Sequence, residues 1–111
     1  MTVLGTSLSF EVLFSDSAGD PGDPDSVRFL LREGVDGSEL EWIYDASPTE
    51  GTHFPTGMQP IVRASEGVYT LQFVTRKPER HTGVWLGSGT IFQTTHTTAF
   101  VRHSELDALE P

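Results

Sequence analysis

The chain has 111 residues, no cysteine, and sixteen aspartates and glutamates against seven lysines and arginines, which gives a formal net charge of −9. This length predicts a single domain that folds without a metal ion or disulfide, and the lack of cysteine excludes a thiolate zinc site and a cysteine nucleophile. The negative charge argues against binding nucleic-acid phosphates through a basic surface, although it is compatible with lining a passage for DNA. We expect no secretory signal and no membrane-spanning segment, because the first residues are neither basic nor a long apolar run and no other long apolar run occurs.

Alternating apolar residues predict the first two strands. Residues 8–14 alternate between an apolar and a polar face, which is typical of a half-buried strand. Residues 15–25 contain two glycines, two prolines and four aspartates, so we expect a loop there. The next strand follows residue 26, with inward Val27, Phe29 and Leu31 and outward Arg28 and Arg32.

A tight antiparallel pair is predicted next. Asp36 and Gly37, within residues 34–37, tolerate the backbone conformations of a hairpin turn. Residues 39–45 form the returning strand, with Leu40, Trp42 and Tyr44 on one face.

Residues 46–60 form the longest stretch without a strand pattern and contain three prolines and two glycines. A loop of this length is usually functional or covers a sheet edge. Two interpretations stay open for its apolar residues Phe54 and Met58. Both side chains fold back onto the core, or the loop reaches a neighbouring molecule.

The stretch 67–89 predicts two strands and a basic loop between them. A short strand at 61–64 and a turn at 65–67 lead into a strand at 68–75, and a second, short strand at 84–86 is centred on Trp85. Such a polarised chain, acidic overall with one basic tip, suits docking of copies or partners. The candidate interface residues are therefore those of the basic loop together with the two apolar residues of the long loop: Arg76, Lys77, Arg80, His81, Phe54 and Met58. The alternative is an ordinary solvated loop.

The last predicted strand, residues 91–102, is rich in threonine, which favours sheet. Both of its faces are mixed, so we expect it to be partly buried on each side in an assembly. The pattern of about seven short strands without helical periodicity predicts an all-β, Ig-like antiparallel sandwich in a single domain. Its predicted bounds are 8–102, after an N-terminal arm at 1–7 and before an acidic tail at 103–111.

Motifs for catalysis or metal binding are weak. The four histidines are widely spaced, and the aspartates at 16, 20, 23 and 25 lack the spacing of a calcium loop. Glu39 and Glu41 share a strand face and could mimic the catalytic carboxylate pair of a glycosidase, but the solvated outer face of a hairpin is the favoured interpretation. We therefore predict no enzymatic activity, no metal and no other cofactor. An aromatic carbohydrate platform is the rival interpretation of Trp42, Tyr44, Tyr69 and Trp85, although the alternation favours a place in the core.

Three motifs together carry a resemblance to a known family. They are Asp23-Pro24-Asp25-Ser26-Val27 before a strand, Gly67-x-Tyr69-x-Leu71, and Gly83-x-Trp85 followed by Gly87-Ser88-Gly89. Over about residues 23–101, this arrangement resembles small immunoglobulin-like virion proteins of tailed bacteriophages, which are encoded among head and connector genes. The long 46–60 loop and the basic 76–81 loop depart from the family pattern.

The resemblance implies a non-enzymatic structural protein of the virion, assembled in symmetric copies in the host cytoplasm. A head-to-tail connector, a neck or stopper protein, is favoured; its partners would be portal, adaptor or tail proteins, and an acidic inner wall would repel DNA. A decoration protein on the head exterior, bound to the major capsid protein, is the first alternative. A carbohydrate- or host-surface-binding module is the second. We expect neither sequence-specific nucleic-acid binding nor a membrane partner.

Overall fold

The computed structural model describes residues 2–3, 7–34, 39–45, 53–75 and 80–102. These residues form eight strands and no helix. None of them belongs to a helix that is long and apolar enough to cross a membrane. The strands are β1 (Thr2–Val3), β2 (Ser7–Leu13), β3 (Ser26–Glu33), β4 (Glu39–Asp45), β5 (Val62–Ser65), β6 (Val68–Val74), β7 (Arg80–Ser88) and β8 (Gln93–Arg102).

The strands form two sheets that pack as a sandwich. The larger sheet has the order β1-β8-β7-β3-β4, and the smaller one has the order β2-β6-β5. Neighbours are antiparallel, except that the two-residue β1 runs parallel to β8. The seven longer strands match the immunoglobulin arrangement, in which strands B, E and D face strands G, F, C and C′. The predicted Ig-like sandwich of about seven strands is confirmed.

The core lies between the sheets and is formed by the residues that the alternation predicts. Both tryptophans, Trp42 and Trp85, have 0% exposure. The Phe29 ring lies between them, with its centroid 4.5 Å from that of Trp85 and 5.8 Å from that of Trp42. Tyr69 is also buried, and Tyr44 packs against it edge to face. The four rings therefore belong to the core and its margin, and they do not form an exposed carbohydrate platform.

Two glycines of the sequence motifs are required by the packing. Gly67 closes the β5–β6 turn with φ +77°, a conformation that favours glycine, and a Cβ there would lie 2.6 Å from the carbonyl oxygen of Phe14. Gly83 has ordinary backbone angles, but a Cβ there would lie 2.5 Å from Cζ of Phe29. The aromatic core thus approaches the β7 backbone closely at Gly83.

The predicted extent of β7 is wrong. The strand spans nine residues from Arg80 to Ser88, whereas the sequence predicted a loop up to Gly83 and a strand at 84–86. The added residues pair with both neighbours, as His81 does with Glu33 on β3 and with Ala99 on β8. His81 and Gly83 occupy inward positions that large apolar residues fill in the other strands. The alternation of apolar and polar residues that predicts a strand is therefore absent from this part of β7. Residues 35–38, 46–52, 76–79 and 103–111, and with them Arg76 and Lys77, lie outside the described residues.

Candidate protein interface

An open groove lies on the outer face of the larger sheet. The β-ladder aligns Leu30 of β3, Val84 of β7 and His96 of β8 in one row across the sheet. The next row toward the β3–β4 end contains Arg32 and Thr82, which are paired in the same way. We call this feature the outer groove; its volume is about 810 Å³, and its lining residues are Leu30, Leu31, Arg32, Gly34, Glu39, Arg80, Thr82, Val84 and His96.

The floor of the outer groove is apolar, although it faces away from the core. Leu30 and Val84 are half-buried partners on adjacent strands. Outward positions of a sandwich strand are usually polar, and the outward neighbours of Leu30 on β3 are indeed Arg28 and Arg32. Leu30 therefore breaks the binary pattern, and this is the signal by which the sequence could have indicated the groove.

Ion pairs between β3 and β4 border the same face. Arg28 Nε lies 3.3 Å from Glu41 Oε2, and Arg32 Nη2 lies 3.9 Å from Glu39 Oε2. All four side chains are about half exposed, so these pairs contribute little to stability. Glu39 and Glu41 therefore each lie next to an arginine of the neighbouring strand, which compensates their charge.

The predicted basic residues Arg80 and His81 separate in the structure. Arg80 opens β7, is exposed and lines the outer groove. His81 has 0% exposure, and its Nε2 lies 3.7 Å from Oε2 of the buried Glu33. The prediction of His81 as an exposed interface residue is therefore wrong, because strand alternation turns this side chain into the core, where its ring also packs against Phe73.

The two apolar residues of the long loop also separate. Residues 53–60 run along β4, where the backbone groups of His53 and Ile43 exchange two 2.8 Å hydrogen bonds and Trp42 Nε1 donates to the carbonyl oxygen of Gln59. Met58 packs against the core, whereas Phe54 is 45% exposed. This segment covers part of the β4 edge, and Phe54 stays available for contact with a neighbour.

The aspartate-rich loop is joined to the smaller sheet through Asp23. The Asp23 carboxylate accepts hydrogen bonds from Nε and Nη2 of Arg63 (2.8–3.1 Å), the backbone N–H of Gly67 (2.9 Å) and the hydroxyl of Tyr69 (3.0 Å). The pKa of Asp23 is lowered from 3.8 to about 2, chiefly by its hydrogen bonds from Arg63. The pKa of Tyr69 is raised by burial and by the hydrogen bond to Asp23. Asp23 therefore connects the motif at residues 23–27 with the Gly67-x-Tyr69-x-Leu71 motif.

The other loop aspartates serve as turn residues. Asp16 Oδ1 accepts from the backbone N–H groups of Ala18 and Asp20, which is an ordinary role for aspartate in a turn. Asp25 accepts a long hydrogen bond from the Thr90 hydroxyl and packs next to Gly89. In the described part of the chain, no three or more acidic, histidine or cysteine side chains are grouped so that they could hold a metal ion.

Comparison of the sequence with protein-family models and with curated proteins gives no match. The functional interpretation therefore rests on the motifs and on the geometry of the sandwich.

Proposed function

We propose that the chain is a non-enzymatic structural component of a tailed-phage virion and that it serves as a head-to-tail connector, assembling in symmetric copies. The observation that carries the proposal is the outer groove. Its floor of Leu30 and Val84 is accessible, and its margin holds Arg32, Glu39 and Arg80. An apolar centre with a polar, charged rim is the usual anatomy of a protein–protein interface.

A second feature supports assembly with other chains. β1 pairs only with Val101 and Arg102 of β8, so in the described part of the chain residues 93–100 have no strand on their outer side. An open strand edge can accept an extended segment of a partner by sheet augmentation. The groove and this edge give one copy two separate places for neighbours, as a bridging component requires.

The proposal is tested by quantitative mass spectrometry of purified particles from the phage that carries this gene. We expect peptides of this chain at a copy number close to that of the portal protein. A copy number close to that of the major capsid protein would favour the decoration role over the connector role. Particles that contain portal and capsid peptides but none from this chain would overturn the proposal.

Deletion of the gene separates the two placements by phenotype. Loss of a connector should leave heads that do not join tails, because the bridging surface is missing. Loss of a decoration protein should leave complete particles with reduced head stability. Complementation with the intact gene is the control, and complete, fully stable particles after deletion would contradict both roles.

A further inference from the structure

A second unusual feature of the larger sheet is a protruding aromatic side chain. Phe92, directly before β8, is 86% exposed, the highest value among the large apolar side chains in the described residues. Its neighbours face the other way. Ile91 is buried in the core, and Gln93 bonds to the backbone of Leu13 and Ser15. Phe92 therefore points to the outer side, the side on which the outer groove lies.

Phe92 and the outer groove lie at opposite ends of this face. The groove residue on β8 is His96, four residues from Phe92, a separation of about 13 Å at the rise of a β-strand. This distance exceeds the reach of a phenylalanine side chain, so Phe92 does not fill the groove of its own chain. The same sheet thus carries an exposed apolar projection and, separately, an apolar recess.

The charges around the two features have opposite signs. Residues 15–25, the acidic loop, reach the same end of the sandwich as Phe92, since the Asp25 N–H bonds to the carbonyl oxygen of Ser88 and the Asp25 carboxylate accepts a bond from the Thr90 hydroxyl. The groove margin carries two arginines, Arg32 and Arg80, and one glutamate, Glu39, which pairs with Arg32, whereas the chain as a whole has a net charge of −9. Charge complementarity of this kind orients docking and fixes its register.

We propose that Phe92 of one copy occupies the outer groove of a second copy, where its ring packs on Leu30 and Val84. The acidic loop of the first copy then faces Arg32 and Arg80 of the second. This contact deepens the proposed function and rests on its claim that the chain assembles in copies. Because Phe92 and the outer groove are different surfaces, the contact between copies is head to tail. Repetition of this contact generates a closed ring if the rotation from one copy to the next adds up to a full turn.

The first test is sedimentation velocity of the purified chain over a range of concentrations. We expect self-association that Phe92→Ala weakens at least about tenfold, as for a buried aromatic anchor. The matched control is Val74→Ala, which shortens a 63% exposed apolar side chain on the smaller sheet and should leave association unchanged. The proposal is overturned if the chain is monomeric throughout, or if Phe92→Ala associates as the wild type does.

The second test uses the absence of native cysteine. Chains carrying only Thr94→Cys, next to Phe92 on the same face, are mixed with chains carrying only Thr82→Cys in the groove and treated with a short bismaleimide. We expect a cross-linked heterodimer of the two variants, and a much lower yield when Val74→Cys replaces Thr82→Cys. Equal yields for the two mixtures would contradict the contact.

The same variants distinguish a failure of the Phe92 contact from a failure of the proposed virion role. Phe92→Ala chains that enter particles as efficiently as the wild type would refute this contact and leave the virion role intact. A chain that associates through Phe92 in solution but is absent from particles would refute the virion role and leave the contact intact.

Discussion

Replacement of Asp23 tests the packing of the acidic loop most sharply. Asp23→Ala removes the acceptor of Tyr69 Oη and of the backbone N–H of Gly67, and it also removes the ion pair with Arg63. Leaving a buried donor without its acceptor lowers the free energy of unfolding by about 1–3 kcal/mol, whereas the loss of an exposed ion pair changes it little. Water can reach the vacated site, because the Asp23 side chain is 36% exposed, so we expect a loss of about 2 kcal/mol in the free energy of unfolding.

The assay is urea unfolding at pH 7, followed by the fluorescence of the two buried tryptophans. Asp23→Asn keeps one oxygen acceptor and should lose about half as much stability. The control is Asp20→Asn, because only backbone groups of Asp20 bond within the loop; it should change stability by less than about 0.5 kcal/mol. Equal stabilities of Asp23→Ala and Asp20→Asn would refute the structural role assigned to Asp23.

The pH dependence gives an independent check of the same group. The pKa of Asp23 is lowered from 3.8 to about 2 in the folded protein, so its contribution is fully present above pH 4 and is lost as the pH falls toward 2. The full shift corresponds to about 2 kcal/mol, which solvent screening at this partly exposed site reduces to about 1 kcal/mol. The wild type should therefore lose about 1 kcal/mol more than Asp23→Asn between pH 5 and pH 2. Parallel curves for the two proteins would contradict this assignment.

Two further substitutions test the core. Their common control is Thr82→Ala on the exposed side of β7, which should change the free energy of unfolding by less than about 0.5 kcal/mol. Gly83→Ala should cost about 1–3 kcal/mol in urea unfolding, because the added methyl group overlaps the Phe29 ring; wild-type stability would contradict the close approach. His81→Ala should cost about 2–4 kcal/mol in thermal unfolding, since it leaves a cavity and removes a buried neighbour of Glu33; a stability equal to that of Thr82→Ala would contradict the buried position of His81.

The sequence was sufficient to predict most of the sandwich. Alternation located β2 and β4 to within one residue at each end and identified the inward residues of β3, because the inward positions of these strands are filled by large apolar residues such as Phe10, Phe29 and Trp42. It failed on β7, where His81 and Gly83 take inward positions. Their burial depends on Glu33 and on the Phe29 ring, which are neighbours that a single strand pattern does not contain.

The candidate interface was less predictable for the same reason. Arg80 and Phe54 are exposed, as interface residues must be, while His81 is buried and Met58 packs against the core. The outer groove arises from side-by-side placement of strands that are distant in the sequence. The Asp23 network likewise joins residues 40 to 46 positions apart. Such pairings follow from sheet topology and not from local composition.

The virion role is tested most directly by cryo-electron microscopy of particles in which this chain carries a small fused globular domain. Wild-type particles provide the reference map. The proposed function predicts added density at the junction of head and tail, repeated with the symmetry of the neck. Particles without added density, although the fusion protein is abundant in the infected cell, would contradict the claim that the chain is a structural part of the virion.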